Sequence, residues 1–405
     1  MSFVAAAEYF DQLQRWLDLE AVAERERMAQ RRRRERSGSP ERSGETLINL
    51  RVADHRTGLA GRLLVDFTKP GKEPLPMNRL KVGSPVVVSP DGDADASGRP
   101  GVVSARKPGS IQVALDDWPE GRLQRIDLCP DERTRLRQAS AIARARLLDG
   151  AARSLRERLL GLDEPRFVGQ TPVDFATTLN PPQEDAVRFA LSARDYAIVH
   201  GPPGTGKTTT LAEIVFQAVR GGAKVLACAP SNTAVDNLLE KLVGLMPSVI
   251  RVGHPARVFE ALRGHTLDEL VENDEASAIV RDMHREADRL LRSADKPSRS
   301  REAHRRRREL RAEARELRQS AKMLERNTIQ QVLSSADVVC TTLTIDEELL
   351  GDRRFDLVVI DEACQATEPA IWQAVLRGER IIFAGDHCQL PPRCSPPTRS
   401  ARVSV

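Results

Sequence analysis

The run Gly201-Pro202-Pro203-Gly204-Thr205-Gly206-Lys207-Thr208 constrains this chain more than any other stretch. It follows the apolar segment Ala197–His200 and precedes a helix-like segment that opens at Thr209 and reaches Arg220. Strand, glycine loop and helix in that order turn G-x-x-x-x-G-K-[ST] into a phosphate cradle. The glycines let backbone N–H groups approach a phosphate with no Cβ in the way. The helix presents its positive end to the anion. Lys207 is then the group for β- and γ-phosphates, and the Thr208 hydroxyl a ligand for Mg²⁺. A chain built on this motif needs a parallel sheet, and therefore an α/β core.

With 405 residues there is room for two to three domains, and a hydrophobic content of 40% supports real cores. Aromatic residues make up only 4%, so those cores are aliphatic. No apolar stretch of about 18 residues occurs, so no membrane-spanning helix is expected. The first ten residues carry Glu8 and no basic cluster, unlike a secretion signal. Cys129, Cys228, Cys340, Cys364, Cys388 and Cys394 form no C-x-x-C pair, so a zinc site is not expected, and they read as reduced thiols in a cytoplasmic protein. The net charge is +4, with arginine blocks at Arg31–Arg34 and Arg305–Arg308. Each block suits either a phosphate backbone or a solvated helix face.

Along the chain, residues 3–36 read as one charged helix with Phe10, Leu13 and Leu17 on one side, broken by Ser37-Gly-Ser-Pro40. Five short β-type runs follow, Leu47–Val52, Leu63–Phe67, Pro85–Ser89, Gly101–Ser104 and Ile111–Leu115, separated by turns such as Lys69-Pro-Gly71, Asp91-Gly92 and Lys107-Pro-Gly109. That pattern predicts a small barrel. Pro130-Asp131 opens a helix to about Leu160. Strands are expected at Tyr196–His200, Lys224–Ala229, Val249–Val252, Asp337–Cys340, Phe355–Ile360 and Arg380–Ala384. Between them, Met283, Ala287 and Leu290, then Leu310, Ala314, Leu317, Ala321 and Leu324, mark an antiparallel helical hairpin turning at Lys296-Pro-Ser298. The expected division is 1–45 helix and linker, 46–130 barrel, 131–165 stalk helix, 166–255 and 331–392 the two parts of a RecA-like domain, 256–330 the helical insertion, and 393–405 an atypical tail.

Asp361-Glu362 stands at the end of the strand Leu357–Ile360, the edge where open α/β sheets bind ligands. An aspartate there suits Mg²⁺, and the neighbouring glutamate suits polarising an attacking water. Gln389 follows the next strand and is placed to contact a γ-phosphate.

The motifs together resemble superfamily-1 helicases, in the branch of the nonsense-mediated-decay and immunoglobulin mu-binding helicases. Asp361-Glu-Ala-Cys-Gln-Ala-Thr-Glu-Pro369 and Gly385-Asp-His-Cys-Gln-Leu-Pro-Pro392 are similar to motifs II and III. Leu179-Asn-Pro-Pro-Gln183 is similar to the Q motif, which implies that Gln183 reads adenine. Ala229-Pro-Ser-Asn-Thr-Ala-Val-Asp-Asn237 is similar to motif Ia, and Cys340-Thr-Thr-Leu-Thr344 to the following contact segment. The resemblance implies nucleic-acid contacts by Ser231, Asn232, Thr341 and Thr342; on the residues alone, helix capping explains them equally. It implies ATP and Mg²⁺ as cofactors, single-stranded DNA or RNA as partner with 5′ to 3′ translocation, a monomer, and a RecA-like P-loop domain carrying a small β-barrel on a helical stalk and an inserted helical hairpin. The family continues past motif III into a second RecA-like lobe that supplies arginines for phosphoryl transfer. Here the tail 393–405 departs from the pattern. Read one base earlier with GC-rich codons, it yields a sequence similar to the family's continuation. The expectation is a truncated or frameshifted helicase that binds ATP–Mg²⁺ weakly, hydrolyses it slowly and does not unwind duplex. Two other readings stand beside it: a nucleic-acid-binding module in which nucleotide is only a switch, and a P-loop ATPase of another family, which motif III disfavours.

Overall fold

The computed structural model describes residues 6–35, 40–57, 63–91, 98–129, 132–169, 172–253, 258–294 and 301–389. The break at Ser37–Ser39, the hairpin turn at Lys296-Pro-Ser298, Leu390–Pro392 of motif III, Cys394 and the tail 393–405 lie outside them, as do the side chains of Arg31–Arg34.

In chain order the elements are α1 (Ala6–Glu35), β1 (Thr46–Thr57), β2 (Leu63–Thr68), β3 (Pro85–Pro90), β4 (Arg99–Lys107), β5 (Ser110–Leu115), β6 (Gln124–Leu128), α2 (Glu132–Arg146), α3 (Gly150–Leu159), α4 (Pro181–Ser192), β7 (Tyr196–His200), α5 (Lys207–Arg220), β8 (Val225–Ala229), α6 (Asn232–Val243), β9 (Val249–Arg251), α7 (Leu267–Glu272), α8 (Glu275–Ala294), α9 (Arg301–Ser335), β10 (Val338–Thr342), α10 (Glu347–Leu350), β11 (Phe355–Ile360), α11 (Glu368–Val375) and β12 (Gly378–Gly385).

β1 to β6 close an antiparallel barrel in the order β1-β2-β5-β4-β3-β6. Its strands alternate as period-2 packing demands, with Val65, Phe67, Val86, Val88, Ile111, Val113, Leu115 and Ile126 filling the interior. The sixth strand corrects the five-strand expectation. Gln124-Arg-Ile-Asp-Leu128 is too short and polar to stand out, yet closure requires it to pair with both β1 and β3.

The remaining strands make one parallel sheet, ordered β7-β12-β11-β8-β10-β9. Both faces are covered, so β8 and most of β11 are buried end to end. Leu226 and Cys228 of β8 join the core formed with α1, α2, α3, α9 and α11, whereas Val225, Ala227 and Ala229 join the core under α4, α5 and α6.

The stalk is packed rather than free. Phe10, Leu13 and Leu17 are buried in the sheet's first core, and Phe10 meets Trp372 of α11 edge-on at 5.0 Å. Each such side chain contributes about 1.5–3 kcal/mol by leaving water. The expected single helix from 131 to about 160 is two helices, α2 and α3. Gly150 takes φ +54°, and the Arg156 guanidinium donates to the Ala145 and Arg146 carbonyls at the end of α2. Those carbonyls would otherwise be orphaned at a helix end. α8 and α9 form the hairpin with Ala287, Ala294, Ala314 and Ala321 fully buried, a close seam of small residues. α9 then runs on to Ser335, and its last turns bury Ile329 and Leu333 in the sheet core. One helix thus joins insertion and core. Arg305, Arg306 and Arg308 are exposed on it, which matches a solvated face, and Arg305 pairs with Glu309 one turn on.

Candidate functional site: the carboxyl edge of the parallel sheet

The loop 201–206 leaves β7 and enters α5 at Gly206, which sits in the left-handed region at φ +81° and is the residue before the helix. Gly204 is also left-handed, at φ +79°, with open space where a Cβ would stand. A Cβ on Gly201 would come within 2.6 Å of the Thr205 hydroxyl, and one on Gly206 within 2.4 Å of the Gln183 amide nitrogen. At Gly206 the left-handed backbone itself favours glycine, while at Gly201 a side chain would require Thr205 to move. The loop is tied at its root, where the Gly201 amide donates to Gly385 of β12 at 3.3 Å, and at its crest, where the Thr205 hydroxyl donates to Pro202 at 2.8 Å. Pro202 and Pro203 are exposed and Thr209 is half-buried in the first turn of α5.

Lys207 is buried, and its ammonium donates to the carbonyls of Gly201 (2.6 Å) and Pro202 (3.1 Å). A buried cation hydrogen-bonded to carbonyls, with the Asp361 carboxyl as its charged neighbour, is a partner for a further anion. The Thr208 hydroxyl donates to Asp361 Oδ2 at 3.0 Å, joining residues 153 apart. Asp361 is buried at the end of β11, and burial pushes its carboxyl above the usual range against the hydrogen bonds from Thr208 and the Glu362 amide. These oxygen ligands fit a hard cation such as Mg²⁺, and the open glycine loop beside Lys207 fits a polyphosphate.

Glu362 is half-buried with φ +51°, left-handed backbone in a residue that is not glycine. Such strain costs roughly 1–3 kcal/mol and gathers at functional sites. Its carboxylate accepts from Gln365 at 2.9 Å. Gln389 is half-buried and donates to Asp386 Oδ2 at 3.3 Å. The amide of Cys388, then Gln389 and His200, hold Asp386 below the usual carboxylate range against its burial.

Gln183 is already engaged. Its Oε1 accepts from the Asn180 amide at 2.9 Å while Asn180 Oδ1 accepts from the Gln183 amide at 3.0 Å, a reciprocal cap on α4. Its Nε2 donates to the Thr205 carbonyl at 2.9 Å. The glutamine therefore joins α4 to the phosphate loop.

Ser231, Asn232, Thr341 and Thr342 form a separate group on the same edge, since Thr342 lies opposite Ala229 in the β8–β10 register. Ser231 caps α6, accepting from the Ala234 amide at 3.1 Å. Asn232 Oδ1 accepts from Arg251 at 2.8 Å. Thr341 is buried, and Thr342 is half-buried. As the chain stands, capping and core contacts occupy three of the four.

Several supporting residues were not singled out in the sequence, although Asp236 and Glu368 lie within the runs similar to motifs Ia and II. Arg251 and Asp236 are both buried and paired at 3.2 Å; Asp236 Oδ2 also accepts from the Phe259 amide at 3.1 Å. This pair locks α6 and its Asn232 to β9 and to the entry of the helical insertion. Glu213 of α5 is buried and accepts from the Ala176 and Thr177 amides, the Thr177 hydroxyl and Gln217. Burial would raise its pKa, but those hydrogen bonds outweigh it and the carboxyl sits below its ordinary value. It fixes the segment that leads into Gln183. Glu368 accepts from the Tyr9 hydroxyl and from Trp372 Nε1, tying the stalk to the helix after Asp361-Glu362. Burial, with Glu368 adding to it, pushes the Tyr9 phenol up. Tyr9 lies 359 residues from Glu368, Thr177 36 from Glu213 and Arg251 15 from Asp236, so contact in the fold reveals these roles.

Comparison with known proteins shows the family to which the chain belongs. A family model described as an AAA domain matches residues 178–395, and one described as the helicase SMUBP-2/HCS1 1B domain matches residues 14–128. The DNA-binding protein SMUBP-2 of Rattus norvegicus is 36% identical over 409 aligned residues, covering 96% of this chain and 40% of the relative. The DNA polymerase alpha-associated DNA helicase A of Schizosaccharomyces pombe is 33% identical, covering 87% of this chain and 56% of the relative. The regulator of nonsense transcripts 1 homolog of Drosophila melanogaster is 34% identical over 57% of this chain and 18% of its own length. The chain thus spans about two fifths to a little over half of the first two curated relatives. It belongs to the AAA-domain family of P-loop proteins, in the superfamily-1 helicase branch that includes SMUBP-2 and the regulator of nonsense transcripts.

Proposed function

We propose that this chain is the nucleotide-binding lobe of an ATP-dependent helicase, with ATP and Mg²⁺ at the sheet's carboxyl edge and a single strand of DNA or RNA across the neighbouring strand ends. The observation that carries the reading is the 3.0 Å contact between Thr208 and Asp361, which brings the phosphate loop and the Asp-Glu strand end into one site. Lys207 exchanges its loop carbonyls for β- and γ-phosphate oxygens, and the amide N–H groups of Gly204, Thr205 and Gly206 line the rest of the cradle, Pro202 and Pro203 having none to give. Thr208 and Asp361 hold the magnesium. Bound there, Mg²⁺ neutralises phosphate charge and lowers the barrier to phosphoryl transfer. Glu362 orients the attacking water and accepts its proton as the β–γ bridge breaks. Gln389 contacts the γ-phosphate and relays its presence to Asp386. Gln183 turns its carboxamide toward adenine, whose donor and acceptor edge it matches. Ser231, Asn232, Thr341 and Thr342 meet the strand through phosphate and sugar, contacts that position without reading sequence. The names of the relatives, a DNA-binding protein and a DNA helicase, support a nucleic-acid partner.

The test is the ATP hydrolysis rate of the 405-residue chain with and without single-stranded DNA or RNA, beside Lys207→Ala and Asp361→Asn. The reading expects Mg²⁺-dependent ATP binding that both substitutions abolish, and slow turnover. Nucleic-acid binding that falls steeply with salt but ignores Lys207→Ala, with nucleotide bound but not hydrolysed, would replace the enzyme with a binding module in which nucleotide is only a switch.

A further inference from the structure

Among the described residues, one set of metal-ligating side chains stands together outside the Thr208–Asp361 pair. The ligand atoms of His200, Asp386 and His387 all lie within 4.8 Å of one another. Backbone pairing, not loop geometry, sets their spacing. His200 ends β7, and its partner across the parallel ladder is Gly385, directly before Asp386 and His387. Asp386 is buried, with Oδ1 accepting from the Cys388 amide at 3.0 Å and Oδ2 from Gln389 at 3.3 Å. Both imidazoles are exposed, with ring centroids 4.9 Å apart and planes tilted by 44°. A strand tie explains His200 on Asp386. It does not explain the second histidine turned to the same point.

We propose that His200, Asp386 and His387 form a site for one divalent transition ion of the zinc class, with its open positions toward solvent. Two imidazole nitrogens and one carboxylate oxygen suit Zn²⁺, Co²⁺ or Ni²⁺, whereas Mg²⁺ prefers oxygen alone, so the site is chemically distinct from Thr208–Asp361. His200 Nε2 and Asp386 Oδ1 are 3.3 Å apart. Ligands on a tetrahedral ion at roughly 2.0–2.1 Å are separated by roughly 3.4 Å, so this edge is already formed. The wider separation closes by rotation of an exposed ring. The Cys388 amide and Gln389 hold the carboxylate from behind, as outer partners do in built metal sites. The bound ion joins the ends of two adjacent strands and stabilises the folded chain by mass action.

The test uses tag-free chain without nucleotide, so that its outcome is independent of the ATP reading. Co²⁺ is titrated by its visible absorption and Zn²⁺ by calorimetry. One equivalent should bind, and Zn²⁺ should raise the melting temperature. His387→Ala and His200→Gln should each weaken binding by about 100-fold or more, since even outer partners account for 10- to 100-fold. Cys388→Ser should leave binding unchanged. An unaltered melting curve of the metal-free variants shows that they fold. Absence of saturable binding, binding indifferent to both histidine variants, or binding lost with Cys388→Ser overturns the assignment.

Discussion

The barrel and the carboxyl edge of the parallel sheet are both well buried, but they bury different things. The barrel core from Leu47 to Ile126 is aliphatic apart from Phe67, and the polar residues buried with it are neutral. Ser104 donates to Gln112, which donates to Asp66, and Thr46 donates to Asp127. The sheet edge buries Lys207, Glu213, Asp236, Arg251, Asp361 and Asp386. Charges out of water cost several kcal/mol each unless they are paired and hydrogen-bonded. The barrel is therefore what shape and strand alternation produce when nothing else is asked. The edge retains charges that an apolar core would replace at little or no loss of stability, and such retention marks a site.

Five variants, one of them a double substitution, would break or sharpen this contrast. The largest effect is expected from Lys207→Ala. It should lower kcat/KM for ATP by about 1,000-fold, as loss of a transition-state charge partner does, while urea unfolding is unchanged or shifts upward. An equal loss of stability would make Lys207 structural and erase the contrast. Phe67→Ala should cost the barrel about 4 kcal/mol in denaturant unfolding. A fluorescent ATP analogue should still bind, because Phe67 touches only barrel core; loss of that binding would show the two regions to be one unit.

Arg251→Ala should cost about 3 kcal/mol, because Asp236 is left charged and buried. The pair Arg251→Met with Asp236→Leu should recover much of it by urea titration. A double variant as unstable as the single one would mean that the apolar replacement does not pack. Glu213→Gln should cost about 2 kcal/mol and weaken nucleotide binding as the segment before Gln183 loosens. The wild-type carboxyl adds a smaller, pH-dependent effect. Its folded pKa lies below the ordinary 4.5, so its contribution is complete above about pH 4.5 and is lost as pH falls through the lower folded value. Acid unfolding of Glu213→Gln should be shallower than wild type over that interval; parallel curves would sink the assignment.

The phosphate loop was legible because its chemistry is local: glycines, lysine and threonine within eight residues of sequence can only make one kind of turn. Five of six barrel strands were legible through alternation between turn residues. Gln124–Leu128 was not, since a five-residue polar strand is specified by the two edges it must close. The break between α2 and α3 was hidden for a similar reason, because Arg156 reaches back ten residues to satisfy the end of α2. Motif Ia shows the limit most clearly. Its residues stood out in sequence, yet that Ser231 caps α6 and Asn232 receives Arg251 is a matter of three-dimensional neighbours.

By itself, the sequence determined the α/β class, the order of the motifs and the cradle for a phosphate, because these depend on residue type at short range. Tertiary structure alone decided which charges stay buried and who answers them: Thr208 with Asp361, Arg251 with Asp236, Glu213 with Thr177, His200 with Asp386. The physical reason is desolvation. A charge has no address along a chain; its energy is set by how much water is removed around it and by which distant dipole or ion takes water's place.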